Sequence, residues 1–315
     1  MRRLCVFALA FSAVLGASAA PEAKLASTAR TPQALQADGL FWKTLHDGDY
    51  EHIGAALEAT TAAYLADPGD ATTAAHVGWL HIWRLAESGR QGRPAPTITD
   101  DAVLARRYFE EAVALAPQDA RFLGFLASAQ LAEAGIHRDP ALQARGAANL
   151  QAAVQAWPEF NLFTAGYLAS SAPADSAEFR AGLEQQWQTM DRCAGRKVDR
   201  TRPEGARPAA GPVTTGPQRA CWNSAAAPHN LEGFNLNMGD MLVKSGDWRT
   251  AQKVYANAKL SSDYATWPFA AELEARIAHA QDNVAAFNGP DAGRGRPGAK
   301  MMGLSNAACM ACHQK

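Results

Sequence analysis

The chain reads as all-α, a row of antiparallel helical hairpins followed by a tail with different chemistry. Three observations predict this. Alanine is abundant and runs of β-branched residues are scarce. Apolar residues recur at spacings of three and four, the period of a helix with one buried face. A pattern also repeats: a small residue, a bulky one four later, a small one three later, and a proline five later. Ala105, Phe109, Ala112 and Pro117 follow it, as do Gly146, Leu150, Ala153 and Pro158. Ala56, Thr60, Ala63 and Pro68 follow it with a smaller central residue. Small residues let two helices approach closely, the bulky one fills the gap, and proline stops the second helix.

Residues 1–19 are expected to be a signal peptide. Met1-Arg2-Arg3 is a basic start, Leu4 to Leu15 is an apolar stretch too short to span a bilayer, and Ala17-Ser18-Ala19 fits a small-x-small cleavage site. Cys5 lies inside the apolar stretch and leaves with it. No later stretch is apolar enough for a transmembrane segment, so the mature chain is expected to be exported and soluble, in a bacterium in the periplasm. Residues 20–34 read as an N-terminal linker.

Helical hairpins are expected over 35–192 and again over 229–283. The clearest copy is late: Gly239 opens it, Gly246-Asp247-Trp248 makes the turn, and Ala251, Tyr255 and Ala258 continue it. These residues resemble the tetratricopeptide repeat, whose period is 34 residues. Gly78 also falls at that family's distance after Pro68. Pro68 and Pro117 are 49 residues apart and Pro117 and Pro158 are 41 apart. The resemblance therefore implies insertions, the first around Gly89–Asp100 and the second around Gly135–Pro140. The array it implies is TPR-like, with docking of protein partners on the helical surface.

Residues 193–228 are rich in Gly, Pro, Arg and Thr and read as a long loop. Cys193 and Cys221 flank most of it. In an oxidising compartment they are most simply a disulfide closing that loop. The rival reading is a four-cysteine zinc site with Cys309 and Cys312, but structural zinc sites usually use two close pairs, and Cys193 and Cys221 are not one. Residues 284–303 carry Gly289-Pro290, Gly293, Gly295, Pro297 and Gly298 and read as a linker. Residues 304–315 form the last segment, with a short helix from Leu304 to His313 expected.

That segment holds Cys309-Met310-Ala311-Cys312-His313. Cys-x-x-Cys-His is the attachment motif of c-type haem. Two thiols at this spacing reach the two vinyl groups of one porphyrin, and the adjacent histidine supplies a nitrogen ligand to the iron. The chain thus resembles c-type cytochromes over this motif alone. The resemblance implies one covalent haem c, with Cys309 and Cys312 as anchors and His313 as proximal ligand. Only Gln314 and Lys315 follow, so a small cytochrome domain built after its motif is not expected. Cytochromes c′ share the late placement, but the coil at 284–303 does not fit their bundle.

Packing of the haem on the helical body is expected, because a bare porphyrin face is a large apolar patch. Trp79, Trp83, Phe234 and Trp267 are possible lining residues, each with ordinary core packing as the plainer reading. Candidate distal ligands are Met301, Met302 and His229. Met238, Met241, His76 and His81 are weaker ones, read more simply as core or satisfied residues. A methionine ligand suits electron transfer, and an open position suits gas or peroxide chemistry.

With 315 residues, 48% hydrophobic, 19% charged and formal net charge −1, the composition is globular and gives no support for nucleic-acid binding. No Gly-rich phosphate loop, paired zinc motif or serine-nucleophile elbow is present. The leading expectation is a periplasmic monohaem cytochrome passing electrons to a redox partner protein, more a carrier than a catalyst. The alternatives are an open-site haem enzyme or sensor, and a haem-free interaction module with a Cys309/Cys312 dithiol.

Overall fold

The structure, a computed structural model, describes residues 25–88, 95–208, 213, 215–221, 231–262, 264–267, 269–289 and 301. The expected signal peptide at 1–19, the Gly/Pro/Arg stretch at 89–94 and the segment 304–315 lie outside the described residues. Among the described residues the fold is all-α, with no strand. The helices are α1 (Pro32–His46), α2 (Ile53–Ala66), α3 (Ala71–Ala86), α4 (Asp100–Leu115), α5 (Ala120–His137) and α6 (Pro140–Ala156). They continue as α7 (Pro158–Leu168), α8 (Ala177–Ala194), α9 (Leu231–Lys244), α10 (Trp248–Asn257), α11 (Ala270–Ala278) and α12 (Ala280–Asn288). No helix among the described residues is long and apolar enough to cross a membrane.

Helix boundaries follow local chemistry. Asp70, Asp119, Asp139, Ser176 and Asp247 cap α3, α5, α6, α8 and α10 by accepting hydrogen bonds from backbone N–H groups of the first turn. Thr31 does the same for α1, with Pro32 at the first helical position. That pair starts α1 inside the stretch read as a 20–34 linker. α2, α4 and α6 end just before Pro68, Pro117 and Pro158, where the next ring cannot accept the helical geometry.

From α1 to α8 each helix packs chiefly on its neighbours in sequence, and α12 returns to α9 and α10. The small positions of the repeated pattern lie at these contacts. Ala56, Ala63, Ala105, Ala112, Ala153, Ala251 and Ala258 are wholly buried, with Phe109 and Tyr255 between them. A Cβ on Gly239 would sit 2.2 Å from the Tyr255 ring, and one on Gly78 would sit 3.1 Å from the Phe109 ring. Glycine is therefore needed at 239, where the Tyr255 ring lies flush on the α9 backbone, while at 78 the fit against Phe109 is tight.

The extra residues between Pro117 and Pro158 form no separate loop. Gly135 lies inside α5, and only Arg138 and Asp139 separate α5 from α6. The insertion lengthens both helices, to 18 and 17 residues. Ala, Leu, Gln and Arg fill them, and such residues favour continued helix over loop. Likewise α12 runs to Asn288, into the stretch read as a linker from residue 284.

The core is a chain of clusters. Phe41, Leu45, Tyr50, Ile53, Leu80 and Trp83 join α1 to α3. Val77, Phe109, Phe122 and Leu126 join α3 to α5. The largest cluster, including Phe163, Trp187, Leu236, Met238, Tyr255, Leu273 and Phe287, gathers α7 to α12.

A polar latch closes the N-terminal end. Arg30 Nε donates to Asp70 at 2.8 Å, and the same guanidinium pairs with Asp38 and reaches Thr73 Oγ1 at 3.0 Å. His76 Nδ1 lies 2.7 Å from Asp38 Oδ1, and its ring stacks on Phe41 at 4.0 Å. Burial alone raises the Asp38 carboxyl, but the hydrogen bonds from His76 and Arg30 outweigh it and hold its pKa down to about 2. A carboxylate depressed from its unfolded value near about 4 stabilises the fold fully above that value. This contribution is expected to vanish as pH falls through about 2. Hydrogen exchange of residues 25–31 checks it: protection should persist at pH 5, fall between pH 4 and 2, and be weak at pH 5 in Asp38→Asn.

Candidate functional site

The site predicted from sequence divides between described and undescribed residues. Cys309, Cys312 and His313 lie outside the described residues, as do the distal candidates Met302 and His229. The donor set of two thiols two residues apart with an adjacent imidazole fits a covalently held haem in its chemistry. Met301 is described. It is half-buried and packs on Phe179 of α8 and Met241 of α9, with Tyr167, Ala172 and Leu183 in the same cluster. Phe179 and Met241 are wholly buried. A thioether beside an aromatic ring is a favourable apolar contact. Residue 301 thus rests on the body, eight residues before Cys309.

This face of α8 and α9 also carries a buried cation. Lys244, at the end of α9, donates from Nζ to the carbonyls of Ser170 at 2.7 Å and Ala172 at 2.8 Å. Its ammonium stands 5.1 Å from the centre of the Phe179 ring. The carbonyls belong to the tight turn that ends α7, so the lysine satisfies a helix C-terminus in the manner of a cationic cap. Burial pushes its pKa down from the ordinary lysine range.

The weaker distal candidates have structural employment. Met238 and Met241 are wholly buried in core clusters. His76 belongs to the Asp38 latch. His81 Nδ1 lies 2.6 Å from Asp101 Oδ1, and its ring stacks on Tyr108. Trp83, Phe234 and Trp267 are buried, while Trp79 packs edge-on against Phe109 and Phe125. Trp83, Phe234 and Trp267 are therefore core residues, and Trp79 is half-buried at the edge of the core. Among the described residues no cluster of three His, Cys, Asp or Glu side chains is placed to hold a metal ion.

Cys193, in the last turn of α8, and Cys221, in a short 3-10 turn over Pro217–Cys221, lie at disulfide distance, their Cα atoms 5.7 Å apart. The turn is held on the body by Trp157, whose Nε1 donates to Pro217 O at 3.0 Å, and by Arg219, stacked 3.8 Å from the Trp157 ring.

One feature escaped the sequence reading altogether. Asp240 of α9, wholly buried, accepts from Tyr255 Oη of α10 at 2.6 Å and lies 3.1 Å from Arg276 Nε of α11. Arg276 also meets Glu272 at 3.0 Å and stands 5.1 Å from the Phe287 ring of α12. Burial and the Asp240 carboxylate push the Tyr255 phenol well above its ordinary range. Burial would lower the Arg276 pKa, but Asp240 and Glu272 overcome it and raise it. The arrangement locks together the four helices that precede the haem motif in sequence. Its only sequence signal is an arginine and an aspartate at helical positions, which read as solvated.

No protein-family model matches the chain, and neither a curated protein nor a solved structure matches it.

Proposed function

We propose that this chain is a periplasmic monohaem c-type cytochrome that carries electrons, its helical body a TPR-like scaffold that docks it to a redox partner. The observation that carries this reading is the sequence Cys309-Met310-Ala311-Cys312-His313. Haem, once attached, supplies a one-electron ferric/ferrous couple. The Cys309 and Cys312 thiols tether the group through both redox states, and the His313 imidazole holds the iron from one side and sets its electronic environment.

The contact at Met301 supports a haem held near the body. Eight residues span at most about 29 Å when fully extended, so Cys309 stays within that reach of the Phe179–Met241 cluster. Met301 serves this reading either as an anchor on the cluster or as an iron ligand; Met302 and His229 remain the other distal candidates. The TPR-like reading draws on helix pairs joined by short turns and on the glycine-to-aromatic contacts of Gly78 with Phe109 and Gly239 with Tyr255.

The test is expression with an active haem-attachment system. Wild-type protein is expected to show an intact mass raised by one haem and a pyridine haemochrome spectrum of the c type. Cys309→Ser with Cys312→Ala is expected to lose all covalent haem while keeping its far-ultraviolet helical signal. A wild-type mass with no added tetrapyrrole overturns the proposal.

A further inference from the structure

The charges of this chain are unevenly distributed. Residues 25–190 contain 11 Lys and Arg against 19 Asp and Glu. Residues 191–221 reverse the balance, with seven basic and three acidic side chains. We propose that the segment from the end of α8 through residue 208, within the stretch closed by Cys193 and Cys221, is a docking face for a protein partner that presents a carboxylate-rich surface.

The loop is built to hold its shape. Val198 N donates to Asp191 Oδ1 at 2.8 Å. Asn257 of α10 grips the chain twice, donating to Pro203 O and accepting from Gly205 N, each at 2.9 Å. Lys253 donates to Thr201 O at 2.8 Å. Arg200 pairs with Glu184 of α8 and covers the Trp187 ring. Val198, Pro203, Ala206 and Pro208 turn inward and are buried, whereas Arg192, Arg196, Arg202 and Arg207 are exposed. The other charges nearby are matched locally: Lys197 with Asp191, Arg200 with Glu184, and Lys253 with Glu204. None of the four exposed arginines has a carboxylate within 4.0 Å among the described residues.

Arg202 stands near Asp199 and Glu204, whereas Arg192 at the end of α8 and Arg196 and Arg207 on the pinned segment after it add positive charge that an anionic surface would offset. Pre-ordering by the tethers lowers the entropy lost on docking. Guanidinium forks suit carboxylates in geometry as well as charge. A membrane surface fits less well, because basic membrane faces pair their charge with apolar residues that enter the lipid. Among the described residues the exposed large apolar side chains are Leu25, Leu35, Leu65, Leu104, Ile136 and Leu260, and none lies in 192–208. A nucleic acid strand would want open aromatic faces for its bases, and the loop's neighbouring Trp187 is covered by Arg200. That the partner exchanges electrons rests on the function proposed above; the sign of its surface does not.

Fluorescent poly-L-glutamate binding to the full chain tests this by anisotropy. Binding is expected at about 20 mM salt and should weaken at least about tenfold by about 300 mM. The variant R196S/R202S/R207S is expected to lose at least about tenfold in affinity, and R107S/R145S/R180S, which removes equal charge from the body, less than about twofold. Equal losses in the two variants overturn the proposal. So does tighter binding to phosphatidylglycerol vesicles or to single-stranded DNA than to poly-L-glutamate. Salt-sensitive self-association that is abolished by the loop variant, without poly-L-glutamate binding, overturns it in favour of a second copy as occupant. Absence of haem by mass with the polyglutamate result intact would defeat the electron-carrier reading and leave the docking face standing.

Discussion

Asp240→Ala is expected to destabilise the fold by about 3–5 kcal/mol, because it removes one partner of a buried ion pair and leaves the other charge in place. Arg276 would remain 2% exposed without its Asp240 contact, and Glu272 sits at the edge of the cluster. The Tyr255 hydroxyl would lose its acceptor in the same step. Tyr255→Phe is the informative comparison. It deletes the hydroxyl but leaves the Asp240–Arg276 contact, so it should cost less, about 1.5–3 kcal/mol for a hydrogen bond to a charged group. Urea unfolding of the two variants measures both, with the difference read from the midpoints at constant slope. Equal costs would mean that the tyrosine, and not the ion pair, carries the junction of α9, α10 and α11.

Breaking the link between Cys193 and Cys221 comes next in size. The two cysteines are 28 residues apart, and a loop of that length gives roughly 3–4 kcal/mol in the chain-entropy account. Cys193→Ser with Cys221→Ser is expected to lose that amount in the same unfolding assay. The loss should be smaller if the 3-10 turn is held mainly by the Trp157–Pro217 hydrogen bond and the stacking of Arg219, which survive the change. Trp157→Phe in the double-serine background separates the two, since it removes the indole donor while keeping an aromatic ring. The exposed arginines of the loop give this bond a second consequence. Without it, the segment that displays them loses one of its tethers while those from Asn257 and Lys253 remain, and affinity for an acidic surface should fall along with stability.

Much of the helical framework was legible from local chemistry. Aspartate and serine caps, a proline one or two residues after a helix end, and alanine at three- and four-residue spacing act within a turn or two of chain. The pairing of Cys193 with Cys221 was legible by elimination, since the remaining cysteines belong to a recognisable motif. The insertion expected around Gly135–Pro140 is taken up as helix. Gly135 is tolerated inside a long helix, and Pro140 stands at the one helical position where the missing N–H costs nothing.

The proposed haem attachment rests on sequence alone: it needs two thiols and an imidazole at fixed covalent spacing, and no distant residue is required to propose it. Partner choice among buried polar groups is a different kind of property. Asp240 finds Arg276 across 36 positions of chain, Asp38 finds His76 across 38, and Lys244 finds the carbonyl of Ser170 across 74. Each pairing depends on which helix faces meet, and a charged residue at a helical position looks the same in sequence whether it meets water or a buried counter-charge. Burial then makes the match obligatory, because an unanswered charge in the interior costs more than the helix can supply. Spacing along the chain therefore reveals helices, while the approach of remote helices alone selects the contacts that lock them together.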